Sequence, residues 1–218
     1  RQYLTLNSKP SLQGEGGKTH VRPDEINNIV YMGMGEPFLN WKNVKNSLKD
    51  LIDPELFGFG SRSISVSTAG IPEGIEKLSE EFPQINLAIS LHFATDEERN
   101  KFMPINRKYN LADLREALNK YFLECNRKVF IEYILLENIN DNQSDADDLI
   151  GYIKSIDKKH LLHVNLIRYN YTSKNLKPSP TGVIREFKEY LLKNGINVSI
   201  RKSLGEEVSA ACGQLVGK

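Results

Sequence analysis

The stretch NLADLREALNKYFLECNRKVFIEYILLE (110–137) decides the fold class, because a helix pattern leads directly into a strand pattern. Residues 110–124 predict an amphipathic helix, and residues 128–137 are an apolar, β-branched run typical of a buried strand. The same alternation continues on both sides of this unit. We predict further strands at 27–33, 62–68, 85–92, 161–169 and 197–203, and further helices at 40–52, 71–82, 144–156 and 180–195.

Strands that alternate with helices of ~10–15 residues predict βαβ units and a mainly parallel sheet. The crossover connections of such a sheet are right-handed. Two α/β architectures fit this pattern: a doubly wound open sheet, or a full or partial (β/α) barrel. In both of them, ligands bind at the carboxyl ends of the strands, so we expect the functional residues there.

The composition is that of an ordinary globular protein: 39% of the 218 residues are hydrophobic and 26% are charged. The sequence contains no apolar run of the ~20 residues that would span a bilayer, and no secretory signal. Two cysteines exclude a disulfide scaffold, and we expect a cytoplasmic protein. The formal net charge of +1 gives no overall electrostatic signature of nucleic-acid binding.

Four of the predicted strands end in polar motifs. They are MGMGEP (32–37), STAG (67–70), SLH (90–92) and LIRYN (166–170). Each motif also has a structural interpretation: a tight turn, a helix N-cap, a buried structural histidine and a plain turn asparagine. Their common position at the carboxyl ends of the strands is the stronger indication of a site.

Several familiar chemistries are not supported by the sequence. The glycines of MGMGEP have neither Rossmann nor P-loop spacing, no GxSxG elbow is present, and the histidines and cysteines lack metal-site spacing. Cys125 ends a helix among apolar neighbours, which indicates a structural role. Cys212 lies among small residues in SAACGQLVGK (209–218), which fits either a reactive thiolate or a close-packing position.

The motifs GMGEP, STAG, AISLH followed by DExR, MPIN, IEYxLL, VNLIxxN and ACGQL occur in this order and together resemble the RlmN/Cfr family of radical S-adenosylmethionine (SAM) methyltransferases. The resemblance extends from Asn27 to Gly217. It implies an α/β fold, a partial (β/α)6 radical SAM barrel that here lacks its first strand and helix. Residues 1–26 would then be the end of the first helix and a flexible loop, and residues 27–218 the barrel with a C-terminal catalytic tail. A missing strand would leave an open sheet edge.

The resemblance also implies the site residues. Gly35, Glu36, Ser67, Ser90, Leu91, His92 and Asn170 match SAM-binding positions, and Cys212 matches the cysteine that carries the methyl group. The implied reaction is methylation of adenine C2 in 23S rRNA, with tRNA as a further expected substrate. Cys212 would take a methyl group from one SAM, and a radical derived from a second SAM would activate that methyl group.

One feature of the family is absent: the chain has no CxxxCxxC motif to bind a [4Fe–4S] cluster, so no metal ligands are assigned. The resemblance implies that the cluster, and an electron donor such as flavodoxin, belong to a longer parent protein without membrane contact, and that this chain alone is inactive. Three alternatives remain open: a non-catalytic SAM- or RNA-binding barrel, a Cfr-like C8 methyltransferase, and an unrelated barrel that binds phosphorylated metabolites.

Overall fold

The structure, a computed structural model, describes residues 5–8, 26–170 and 175–201. The strands in these ranges are β1 (Thr5–Ser8), β2 (Ile26–Tyr31), β3 (Ile64–Thr68), β4 (Asn86–Ser90), β5 (Val129–Leu135), β6 (Leu162–Arg168) and β7 (Val198–Ile200). The α-helices are α1 (Trp41–Ile52), α2 (Pro72–Glu81), α3 (Asp96–Phe102), α4 (Leu111–Glu124), α5 (Gln143–Lys154) and α6 (Thr181–Lys193). None of these helices is long and apolar enough to cross a membrane.

The order of the strands distinguishes between the two predicted architectures. The strands follow one another across the sheet from β1 to β7, and β2 to β7 are parallel. A doubly wound sheet reverses its strand order at one point, whereas right-handed crossovers in strictly sequential order place every helix on the same face. Such a sheet curls around its other face. The predicted partial (β/α) barrel is therefore confirmed.

The two faces of the sheet differ in polarity. In β5, Val129, Ile131 and Tyr133 belong to the large apolar core, while Glu132 lies on the opposite, concave face. The neighbours of Glu132 across the sheet are also polar. Residues Ser90, Glu132, Asn165 and Ser199 form one row over four strands. The concave face of the barrel is thus suited to hold a polar ligand.

The helices begin and end as their sequences predict. Asn110 and Asp113 form a capping box at the start of α4, and Asn142 and Asp145 form another at the start of α5. Gly195 follows α6 with a φ of 79°, a left-handed conformation that glycine adopts at little cost. These local signals explain why the predicted helix boundaries agree with the structure to within about two residues.

The prediction for residues 1–26 is wrong in one respect. Thr5–Ser8, expected in a flexible loop, form β1 and pair antiparallel with β2. The edge of β2 that we expected to be open is therefore paired. Four residues are too few to show a period-two pattern, and their pairing depends on an available strand edge. The sequence also gave no separate indication of α3, whose N-cap is Thr95.

Candidate active site

A cavity of about 190 Å³ lies at the carboxyl ends of the parallel strands. Five of the predicted site residues line it together: Gly35, Glu36, Ser67, Ser90 and His92. Leu91 is fully buried beside them, and the buried Asn170 is not among the described residues that form the wall. Cys212 lies outside the described residues. The wall is completed by Tyr31, Met32, Gly33, Thr68, Ala69, Glu132, Ile167 and Arg201.

Glu36 is held in place by hydrogen bonds from the end of the next strand. Its Oε1 accepts hydrogen bonds from the Thr68 hydroxyl at 2.8 Å and from the Phe38 amide at 3.1 Å, and its Oε2 accepts one from the Ala69 amide at 2.7 Å. A carboxylate can accept about four hydrogen bonds, so Glu36 can still accept one more. Gly35, with a φ of 100°, permits the turn that brings Glu36 to this position.

The loop that carries Glu36 packs closely on α2. Phe38 is buried against Gly74, and a Cβ at Gly74 would lie only 2.2 Å from the Phe38 ring carbon Cγ. Only glycine allows this approach without displacement of the loop. Gly74 therefore helps to position Glu36, although it does not line the cavity.

Ser67 and Ser90 place two hydroxyl groups on the concave face. Their Oγ atoms are 3.3 Å apart and both line the cavity. The other hydroxyl of the STAG motif has a different role, because Thr68 accepts hydrogen bonds from the amides of Gly70 and Ile71 as well as donating to Glu36. The predicted helix N-cap is therefore wrong: Ile71 is the N-cap of α2 and has no side-chain cap hydrogen bond, whereas the Thr68 hydroxyl stabilises the turn before the helix.

His92 has an unusual backbone and a defined tautomer. Its φ of 58° lies in the left-handed region, and its carbonyl accepts a hydrogen bond of 2.9 Å from the buried Asn140. Desolvation, and then the positive charge of Arg99, lower the pKa of His92 to about 4, so the ring is neutral at pH 7. Its Nδ1 accepts from the Ile134 amide at 3.3 Å, which leaves the proton on Nε2 as a hydrogen-bond donor.

Arg99 connects the two loops that carry these residues. The side chain is fully buried and donates to the carbonyl oxygens of Ala69 at 2.5 Å, Leu91 at 3.1 Å and Ser90 at 3.4 Å. Its remaining nitrogen donates to Asn106 at 2.6 Å. The ends of β3 and β4 are thereby fixed relative to each other, which gives the DExR and MPIN motifs a structural purpose.

Glu132 and Arg201 are site residues that the sequence patterns do not indicate. Glu132 is 3% exposed, and it accepts hydrogen bonds from Asn165 at 2.9 Å and from Arg201 at 3.3 Å. Arg201 also reaches the Met32 sulfur at 3.3 Å, so it connects the last described strand to the loop after β2. The one indication of Glu132 in the sequence is that a glutamate interrupts the apolar run IEYILL, because a charged residue is rarely buried in a strand without a partner.

Cys125 has the predicted structural role. It is 3% exposed, and its Sγ lies 3.8 Å from the carbonyl oxygens of both Ser79 and Pro83. Burial raises the pKa of its thiol, which disfavours the reactive thiolate. It also precedes β5, at the end of the barrel away from the cavity.

The lining of the cavity offers polar groups of the kind that SAM would need, whereas the described residues offer no set of ligands for an iron–sulfur cluster. Glu36 can accept a cationic donor, and Ser67, Ser90 and His92 present further polar groups to the same space. By contrast, the described ranges contain no group of three or more histidine, cysteine or acidic residues that could hold a metal. We therefore derive no step through a cluster from these residues.

Comparisons with known proteins give a consistent result. No family model matches the sequence. The chain is 42% identical to "Ribosomal RNA large subunit methyltransferase Cfr" of Clostridium botulinum (strain Loch Maree / Type A3), over 87% of this chain and 56% of that protein. It is 45% identical to "Probable dual-specificity RNA methyltransferase RlmN" of Pseudothermotoga lettingae, over 87% of this chain and 54% of that protein.

Solved structures agree with these sequence relatives. A radical SAM methyltransferase from Sphaerobacter thermophilus superposes with a TM-score of 0.82 at 37% identity, and the match covers 87% of this chain and 55% of that one. A domain of the pyruvate-formate lyase-activating enzyme of Bacteroides vulgatus shares the fold, with a TM-score of 0.61 at 16% identity over 81% of this chain and 99% of that one.

The chain thus spans little more than half the length of the curated relatives that it matches. The resemblance that the motifs indicated is confirmed over 190 or more residues. The chain is therefore a homologue of the RlmN and Cfr methyltransferases, and its fold is the partial barrel of a radical SAM methyltransferase.

Proposed function

We propose that this chain provides the SAM-binding barrel of an RNA methyltransferase of the RlmN/Cfr type, which methylates an adenine of 23S rRNA. The observation that carries the proposal is the fixed carboxylate of Glu36 in a cavity shared with Ser67, Ser90 and His92. In this proposal Glu36 binds the ammonium group of SAM. The two serine hydroxyls and the Nε2 proton of His92 orient the rest of the molecule.

The charge of the cavity supports SAM as the ligand. The wall contains two carboxylates, Glu36 and Glu132, and one guanidinium, Arg201, while His92 is neutral at pH 7. One negative charge therefore remains uncompensated among the described lining residues. SAM has an ammonium, a sulfonium and a carboxylate, so it has one net positive charge. Burial of ligand and wall together then leaves no net charge in the low-dielectric cavity.

The methyl-carrying role of Cys212 belongs to this proposal. Its thiolate attacks the methyl carbon of SAM, the new bond forms between sulfur and methyl carbon, and the methyl–sulfonium bond breaks. S-adenosylhomocysteine leaves with the electron pair of the broken bond, and Cys212 becomes S-methylcysteine. Activation of this methyl group would need a second SAM and a one-electron reductant that cleaves it to a radical and methionine, and the described residues do not supply that reductant.

We propose adenine C2 as the methylated position and tRNA as a second substrate. The relative from Pseudothermotoga lettingae, at 45% identity, is named a dual-specificity RNA methyltransferase. The Cfr relatives, at 42% identity over a similar length, favour C8 as the competing product. The two products have the same mass but different chromatographic behaviour, so one assay distinguishes them.

The test uses the full-length protein that contains this chain, purified without oxygen and supplied with iron, sulfide, a reductant, SAM and a 23S rRNA fragment. We expect a methylated adenosine in the digested RNA, identified against 2-methyl- and 8-methyladenosine standards. Glu36→Gln should lower the affinity for SAM about tenfold or more, because a charge-assisted hydrogen bond is lost. Glu55→Gln, at an exposed glutamate in the loop after α1, is the matched control.

The results also separate the alternatives. Binding of SAM without methylation of the 23S rRNA fragment, or of tRNA supplied in a parallel assay, would favour the non-catalytic binding module. A protein that binds phosphorylated metabolites but not SAM would contradict the proposal and favour an unrelated barrel.

A further inference from the structure

Arg201 occupies a central position in the cavity wall. It is the one cationic residue among the described residues that line the cavity. Its Nη1 contacts Glu132 on β5, and its Nη2 contacts the sulfur of Met32 in the loop after β2. The guanidinium therefore extends into the cavity from the end of β7, and strand β5 and the loop after β2 fix its orientation.

The contacts of Arg201 with the described residues leave donors of its guanidinium for a ligand. A guanidinium has more N–H groups than the two contacts with Glu132 and Met32 use, and a thioether such as Met32 is a weak acceptor. The side chain of Arg201 is 39% exposed, whereas that of Glu132 is 4% exposed. A partly exposed guanidinium with unused donors in a cavity is suited to a planar oxyanion, which it can bind through two parallel hydrogen bonds.

The same cavity contains the complementary charge. Glu36 is fixed by Thr68 and Ala69 and can accept a hydrogen bond from a cation. A ligand that places an ammonium at Glu36 and a carboxylate at Arg201 has the charge pattern of an amino-acid end. A phosphate of RNA fits less well, because Glu36 in the same small cavity would repel it.

We propose that Arg201 binds the carboxylate of the methionine part of SAM, and that Glu132 is the positioning residue that holds Arg201 in place. Glu132 is itself fixed from the other side by Asn165, whose Oδ1 accepts from Ser199 at 3.0 Å. The inference rests on the proposed function, because it takes SAM as the ligand, and it adds the residue pair that recognises its carboxylate.

The experiment compares SAM with decarboxylated SAM, which has the same sulfonium, adenosine and amine but no carboxylate. Dissociation constants of both compounds are measured by calorimetry with the full-length reconstituted protein and its variants Arg201→Met and Glu132→Gln. Arg168→Met is the matched control, since Arg168 is an exposed arginine at the end of the neighbouring strand β6 and does not belong to the described wall.

We expect Arg201→Met to weaken SAM binding about tenfold or more, as a lost charge-assisted contact does, with little effect on decarboxylated SAM. The preference of the protein for SAM should then shrink by the same factor. Glu132→Gln should reduce the preference for SAM only partially. The amide oxygen of the new glutamine still accepts a hydrogen bond from Arg201, but it no longer attracts the positive charge of the guanidinium. Arg168→Met should leave both constants unchanged.

If Arg201→Met loses affinity equally for SAM and decarboxylated SAM, the inference is overturned, because the substitution then affects the cavity in general and not the carboxylate contact. An unchanged preference in Arg201→Met would overturn it too, as would unchanged SAM binding with a raised KM for RNA, which would indicate a phosphate contact. If Arg201→Met does not fold, Arg201→Lys allows the same comparison of the two compounds with the positive charge retained. An undiminished preference of Arg201→Lys for SAM over decarboxylated SAM would overturn a bidentate contact between the guanidinium and the carboxylate. Failure of the unmodified protein to bind SAM would instead overturn the proposed function, and this inference with it.

Discussion

The amide of Ala69 lies 2.7 Å from Oε2 of Glu36 and donates a hydrogen bond to it, so the loop after β2 is joined to the end of β3. Ala69 is in turn fixed from behind, because its carbonyl oxygen accepts from the buried guanidinium of Arg99 at 2.5 Å. The carboxylate at the cavity and the arginine in the core are thus connected through a single residue.

Thr68→Val should reduce both stability and SAM affinity. The substitution keeps the shape but removes the donor to Glu36 and the acceptor for the amides of Gly70 and Ile71. We expect a loss of about 1–3 kcal/mol in the free energy of unfolding, measured by urea denaturation, and several-fold weaker SAM binding. Thr68→Ser retains the hydroxyl, so this variant should keep most of the stability and most of the SAM affinity of the unmodified protein. A valine variant with normal SAM affinity would contradict this role of Thr68.

Arg99→Met should be strongly destabilising. It leaves the carbonyl oxygen of Ala69 and the amide oxygen of Asn106 without their arginine donor. It also removes one of the two donors to the carbonyl oxygen of Leu91, which keeps the amide of Phe93. We expect the free energy of unfolding to fall by more than about 3 kcal/mol. The control is Arg115→Met, at an exposed position of α4, where a change within about 0.5 kcal/mol is expected. Similar effects of both substitutions would contradict the proposed role of Arg99 in fixing the ends of β3 and β4.

Gly74→Ala tests the packing of the Glu36 loop on α2. The added methyl group would meet the Phe38 ring at 2.2 Å, so we expect overpacking to cost about 1–3 kcal/mol of unfolding free energy. SAM affinity should also fall, because displacement of Phe38 moves the loop. Gly151→Ala in α5 has open space around its Cβ and should instead stabilise the protein by about 0.5–1 kcal/mol. Thermal unfolding of the two variants tests this difference, and an unchanged or raised melting temperature of Gly74→Ala would contradict the close packing of Phe38 on Gly74.

The state of His92 predicts a pH dependence of stability. Its pKa is lowered from the ordinary 6.5 to about 4 in the folded protein, so the unfolded chain binds more protons between these pH values. This residue therefore makes stability increase from about pH 4 to about pH 6.5, by at most about 3 kcal/mol. His92→Gln should reduce that increase in unfolding experiments across this range. His160→Gln, at an exposed histidine, should not, and an unaltered slope in the His92 variant would disprove the assignment.

Local sequence patterns account for most of the fold and for five of the thirteen described residues that line the cavity. The strands from β2 to β7 were predictable because each is an apolar run between turn signals, and the wall residues Gly35 to His92 were predictable because they follow strand ends. The pairing of β1 was not predictable, because it depends on the edge of β2 rather than on its own four residues.

The missed part of the site has a related explanation. Glu132 and Arg201 are 69 positions apart and meet only because β5, β6 and β7 lie in register. Asn140 supports His92 from 48 positions away, and nothing in the local sequence ENIND indicates that contact. Contacts of this kind are set by the topology of the sheet, so single-sequence patterns do not contain them.

Mass spectrometry of 23S rRNA tests the proposed methyl transfer directly, in cells that lack their own adenine methyltransferase and express the full-length gene. We expect one adenosine with an added methyl group, and none when Cys212→Ala replaces the wild-type gene at equal protein level. An unmethylated rRNA with the wild-type gene, or a methyl group that persists in Cys212→Ala, would contradict the proposed methyl transfer.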